Sequence, residues 1–158
     1  MANLIVWRHA EAEVISKTGA DSDRTLTKRG QKDAAKMAQW LHQHIPNNIV
    51  IFCSPAKRCL ETVSALQKQI SINVQVVEFL SIDSTPEMIV NQICDEDTNK
   101  TILIVGHQPN LGLVISKLLG MKESACAVKK GAIWWLRQRE KEGAVRTYLF
   151  AVQPPNLA

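Results

Sequence analysis

Apolar residues fall along the chain in short unbroken runs, separated by stretches with helical periodicity. The runs Leu4–Trp7, Ile49–Cys53, Val74–Val77, Thr101–Val105, Ile133–Leu136 and Thr147–Val152 read as strands. Lys28–His44, Ala56–Ile70, Pro86–Cys94 and Leu111–Leu119 read as helices. In the first helix Ala34, Ala38 and Leu41 recur on one face, and Thr27 is placed to cap it. Ser54-Pro55 predicts a cap and a first-turn proline for the second helix, and Gly120 a stop for the fourth. Ile/Val runs without polar alternation need cover on both faces. The pattern therefore predicts an α/β three-layer sandwich, with a mostly parallel central sheet of about six strands and helices on both faces. The last two strands flank Arg137–Arg146, which contains Gly143, so an antiparallel C-terminal edge hairpin is expected. No repeat or linker interrupts the 158 residues, and a single domain over 1–158 follows.

Composition narrows the class. With 46% hydrophobic and 22% charged residues, the chain is neither disordered nor fibrous. Its apolar runs are far too short to span a bilayer, and the start of the chain lacks the features of a secretory signal. A cytoplasmic protein with no membrane partner is expected. The cysteines Cys53, Cys59, Cys94 and Cys126 form no C-x-x-C pair and no zinc spacing, so they read as reduced, partly buried thiols. The net charge is +4, but the basic residues are scattered over Lys28–Arg29, Lys57–Arg58, Lys129–Lys130, Arg137 and Arg139. Aromatic residues are few and do not interleave with them, so a solvated surface is expected rather than a nucleic-acid site. A mild positive field also suits an anionic substrate such as a phosphate.

The chemistry-bearing residues sit just past three predicted strands. Arg8 and His9 follow the first, Ser54, Pro55 and Arg58 the second, and Gly106 and His107 the fourth. Open α/β sheets bind ligands beyond the carboxyl ends of their strands, so the three groups are expected to converge. Phosphoryl transfer needs a nucleophile and fixed cations around the transferring oxygens. A neutral imidazole supplies the first and the planar guanidinium fork the second. Taken singly, each residue has an ordinary explanation as a strand end, a solvated helix residue or a loop histidine; their agreement at three places carries the reading. Cys53 and Arg58 also evoke a cysteine-dependent phosphatase. Their four-residue separation contains a proline, however, and offers too few amides to cradle phosphate.

Four motifs in order resemble the histidine phosphatase superfamily. They are Arg8-His9-Ala10, Leu26-Thr27-Lys28-Arg29-Gly30, Ser54-Pro55-Ala56-Lys57-Arg58-Cys59-Leu60-Glu61-Thr62, and Gly106-His107. Within it, the short length and Val105–Leu111 resemble the SixA-type phosphohistidine phosphatases. The resemblance implies that His9 is the nucleophile, that Arg8, Arg58 and His107 surround the phosphate, and that Arg24 is a further phosphate ligand. It implies no metal and no organic cofactor. Ala10 departs from the usual glycine and is expected to be tolerated while narrowing the site. Ser71–Lys100 leaves little room for an inserted region carrying a general acid. Glu78 is the best-placed carboxylate, with Glu11, Asp21 and Asp23 as rivals. The expected substrate is phosphohistidine on a protein. The alternatives are a small phosphoester or mutase substrate, and a non-catalytic phosphohistidine-binding module. The presence of all four core groups argues against the last.

Overall fold

Leu4, Ile5, Val6 and Trp7 point alternately to both sides of the first strand, and all four are buried. Such a strand belongs in the middle of a sheet covered on both faces. In the computed structural model, which describes residues 1–94, 99–122 and 124–158, it lies there. The elements run β1 (Asn3–Arg8), α1 (Lys28–His44), β2 (Ile49–Cys53), α2 (Lys57–Gln67), β3 (Val74–Val76) and α3 (Pro86–Cys94). They continue with β4 (Thr101–Gly106), α4 (Asn110–Leu118), β5 (Ile133–Lys141) and β6 (Ala144–Gln153). The sheet order is β3-β2-β4-β1-β5-β6. The first four of these strands are mutually parallel, while β5 runs antiparallel to β1 and β6 antiparallel to β5.

Alternation along β1 divides the core. Ile5 and Trp7 pack with Met37, Ala38 and Leu41 of α1 and Cys59, Val63 and Leu66 of α2. Leu4 and Val6 pack on the other face with Ile89 and Ile93 of α3 and Leu111, Val114 and Ile115 of α4. The three-layer sandwich is therefore as expected. Among the described residues, no helix is long and apolar enough to cross a membrane.

Local chemistry sets the element ends. Thr27 caps α1, its hydroxyl accepting from the Gly30 amide at 3.0 Å. A Cβ at Gly30 would collide with the Glu11 carbonyl, which explains the glycine. Ser54-Pro55 does not open α2. The helix starts at Lys57 after Ala56, and it ends at Gln67, short of Ile70. The Ser54 hydroxyl accepts from the Ala56 amide at 3.3 Å, ahead of the helix, and is also engaged with His107, 2.7 Å away. The hairpin strands are longer than predicted. They turn through Glu142 and Gly143, both in the left-handed region at φ 54° and 78°, the geometry of a two-residue primed turn.

Candidate active site

Backbone bonds between strand ends bring the predicted residues together. The His9 amide donates to the Gly106 carbonyl at 3.1 Å, and the Ser54 amide to the Val105 carbonyl at 3.0 Å. The ends of β1, β2 and β4 are thereby stitched side by side. The rings of His9 and His107 lie 5.4 Å apart between centroids. Arg58, the second residue of α2, reaches His107 with Nη2 at 3.2 Å. Arg8 is anchored from the side, its Nη1 donating to the Val128 carbonyl at 2.9 Å. That segment also grips the strand end, because the Gly131 amide donates to the His9 carbonyl and Trp7 Nε1 to the Gly131 carbonyl.

The partners fix both tautomers. His9 Nδ1 is 2.7 Å from the Ala10 carbonyl, which only accepts, so Nδ1 carries the proton and Nε2 keeps its lone pair. A guanidinium only donates, so His107 Nδ1 accepts from Arg58, and Nε2–H donates to the Ser54 hydroxyl. Burial depresses the His9 pKa to about 3. The hydrogen bond to Ala10 opposes this, and His107, Arg58 and Arg8 add to it. Burial also lowers His107 to about 4, with Arg58 reinforcing and Asp21 opposing. Both imidazoles are thus neutral near pH 7. The Nε atoms of Arg8 and Arg58 are buried without a hydrogen-bond partner, as suits donors facing an anion.

These depressed values make stability pH-dependent. Above about pH 6.5 both states leave the imidazoles neutral. Below it the unfolded chain takes up protons that the folded chain refuses, so stability falls towards pH 4. Urea unfolding at pH 7.5 and 4.5 is expected to show a drop of about 2 kcal/mol per histidine. That drop should shrink in a His9→Ala/His107→Ala variant. An equal drop in both proteins would contradict the burial of neutral rings.

Arg24 joins the cluster through an intermediary. Arg58 donates Nη1 to the Asp21 carbonyl and Nη2 to its carboxylate, at 2.9 and 3.1 Å. Arg24 Nε holds the other carboxylate oxygen at 2.9 Å, while its Nη1 donates to the Glu13 carbonyl. Burial opposes ionisation of Asp21, but Arg58 and Arg24 outweigh it and hold the carboxyl below its usual range. Sequence reading named Asp21 only as a candidate acid and missed the bridge; its place three residues before Arg24 was the available signal. Thr62, the last residue of the motif that begins at Ser54, joins the same network. Its hydroxyl donates to the Arg58 carbonyl at 2.7 Å and accepts from the Ala10 amide at 3.1 Å, tying α2 to the segment that follows His9.

The other carboxylates are placed elsewhere. A Glu11 carboxylate oxygen lies 3.1 Å from the Thr27 hydroxyl, and an Asp23 oxygen 2.6 Å from the Thr18 hydroxyl. Glu78 is exposed in the 3₁₀ turn after β3, and among the described residues no ion pair joins it to Arg8, Arg24, Arg58 or His107. The Ala10 methyl packs with Leu26 and Ala34, so it fills an apolar cluster instead of narrowing the site. The Cys53 thiol is fully buried, and burial with the neighbouring Cys59 pushes its pKa up, leaving it a poor nucleophile.

Residues 4–81 match the sequence profile of the histidine phosphatase superfamily (branch 1), and the chain belongs to that superfamily. A phosphohistidine phosphatase SixA homolog of Haemophilus influenzae is 28% identical over 131 residues, covering 76% of this chain and 79% of its own. In fold, the protein histidine phosphatase SixA complexed with tungstate superposes with a TM-score of 0.79 at 19% identity, over 98% of this chain and 97% of that one. A phosphoserine phosphatase mutant of Entamoeba histolytica, in complex with phosphoserine, gives 0.73 at 19% identity, over 96% of each chain.

Proposed function

We propose that this chain is a cytoplasmic phosphatase that hydrolyses phosphohistidine on a partner protein, a signalling step, through a covalent phosphoryl group on His9. The observation that carries the reading is the His9 ring. It is buried and neutral, with Nδ1 committed to the Ala10 carbonyl and Nε2 bare beside His107. Arg8, Arg58, His107 and Arg24 hold the phosphate oxygens, and no metal is needed. The Nε2 lone pair of His9 attacks phosphorus while the bond to the substrate's imidazole breaks. Water then attacks phosphorus, the electron pair returns to Nε2, and phosphate leaves carrying the water's oxygen.

Two features support a nitrogen leaving group over an alkoxide. Between α2 and the described end of α3 the chain forms only β3, a 3₁₀ turn and α3, so no inserted region roofs the site. None of Glu11, Asp21, Asp23 and Glu78 is poised to deliver a proton, and Asp21 is held ionised. An alkoxide needs such an acid, a contribution of about 10²–10⁴ in rate. The imidazole of phosphohistidine is protonated beforehand on its free nitrogen and departs neutral. The name of the Haemophilus influenzae relative agrees with this substrate.

The test compares kcat/KM for matched phosphohistidine and phosphoserine peptides. The phosphohistidine peptide is expected to lead by about 10² or more. Parity, or a lead for phosphoserine, would assign the site to small phosphoesters, as in the Entamoeba histolytica relative.

A further inference from the structure

The basic residues that look scattered in the sequence meet in space. Arg29 and Lys36 of α1, together with Lys129 and Lys130 between α4 and β5, line an open cavity of 620 Å³ whose inner wall includes Arg8. Glu11 and Asp33 are the acidic members of the lining. Five cations against two carboxylates leave a formal surplus of three positive charges at one place, out of a net +4 for the whole chain. Arg29, Lys36, Lys129 and Lys130 are exposed. None of these four forms an ion pair among the described residues. Such an arrangement is costly to leave unpartnered and is suited to meeting an opposite charge.

We infer that this cavity is a docking site for an acidic surface of the protein substrate, next to its phosphorylated side chain. The inference rests on the phosphohistidine reading above and names the chemistry of the partner. Three observations favour a protein's carboxylates. The cavity adjoins the candidate active site, because Arg8 lines it. The cations come from separate segments, with Lys36 Nζ also donating to the Pro155 carbonyl at 3.4 Å, an arrangement that attracts a broad acidic face. A compact second phosphate would call for converging forked donors. The segment bearing Lys129 and Lys130 is also fastened to the nucleophile, through Val128 to Arg8 and through Gly131 to His9 and Trp7. A partner seated on these lysines is therefore held in fixed register with His9 Nε2.

The experiment uses the full chain and three variants: Lys129→Glu/Lys130→Glu, the milder Lys129→Ala/Lys130→Ala, and Arg29→Glu on the separate helix. Each is assayed with an aryl phosphate and with two phosphohistidine peptides, one flanked by Asp and Glu and the other by Asn and Gln. The wild type is expected to favour the acidic peptide by roughly fivefold to tenfold in kcat/KM at low salt, the sum of several exposed pairs. That preference should fade in high salt and vanish in the charge-reversal variants, with aryl phosphate turnover unchanged. A second arm measures binding of the same peptides without phosphate. It reads the cavity even if neither phosphohistidine peptide is hydrolysed, the outcome that sinks the functional reading alone. Equal binding of acidic and neutral peptides would overturn the docking site. A preference that survives Lys129→Glu/Lys130→Glu would do the same. So would a single-stranded oligonucleotide binding more tightly than the acidic peptide with the same variant sensitivity, since the occupant would then be a nucleic acid.

Discussion

His9→Ala is expected to lower turnover by on the order of 10⁶, the scale for deleting an enzymic nucleophile, while the fold survives. The ring keeps a nitrogen lone pair beside the arginines at neutral pH, whereas His107 Nδ1 is occupied by Arg58, the Asp21 carboxylate is tied up by Arg58 and Arg24, and the Cys53 thiol is buried with a raised pKa. Removing it leaves the cations intact and nothing to attack with. Rapid quenching of the wild type in base should trap an acid-labile phosphoryl group on His9, read by mass spectrometry of the peptide containing Arg8. A label on Cys53, or measurable burst turnover by His9→Ala, would refute the covalent mechanism.

Arg58→Ala is expected to cost about 10²–10³ in kcat/KM, the usual penalty for deleting one preorganised charge-stabilising donor. Its guanidinium is almost wholly buried, so its field is poorly screened, and it touches both His107 and Asp21. Arg58→Lys should recover little, since an ammonium cannot span the two partners that the fork spans. The pH profile separates charge from mere packing. Without Arg58, the His107 pKa should rise from about 4 towards its ordinary value, shifting the acid limb of kcat/KM upwards. Near-wild-type activity with an unmoved profile would show that Arg58 takes no part.

The site was legible because its supports are the least ambiguous segments of the chain. β1, β2 and β4 are apolar runs with no competing helical period, and the residues that follow them fall at one sheet end once the strands are parallel. Arg24 was legible only through the family motif, since it reaches the cluster by way of Asp21, an exposed residue in an irregular segment where no periodicity operates. The hairpin was underestimated for a different reason. Gln138–Lys141 is polar and exposed enough to resemble a loop, yet an edge pair can be strand with water on much of its surface. The basic cavity was invisible because its residues are about a hundred positions apart, and only the packing of α1 beside the segment before β5 joins them.

The hydrogen bond from His9 to the Ala10 carbonyl bears on the handedness of the reaction. With Nδ1 occupied, a single nitrogen of this ring is open to phosphorus, so the proposed intermediate would form as one regioisomer, the one substituted far from the ring's attachment to the backbone. In the proposed mechanism the phosphoryl group would arrive on that nitrogen and depart from it by in-line displacement, each event turning phosphorus inside out. Two inversions cancel. A substrate made chiral at phosphorus would therefore release product of unchanged configuration, a stereochemical record of a bond between one side chain and its neighbour's carbonyl.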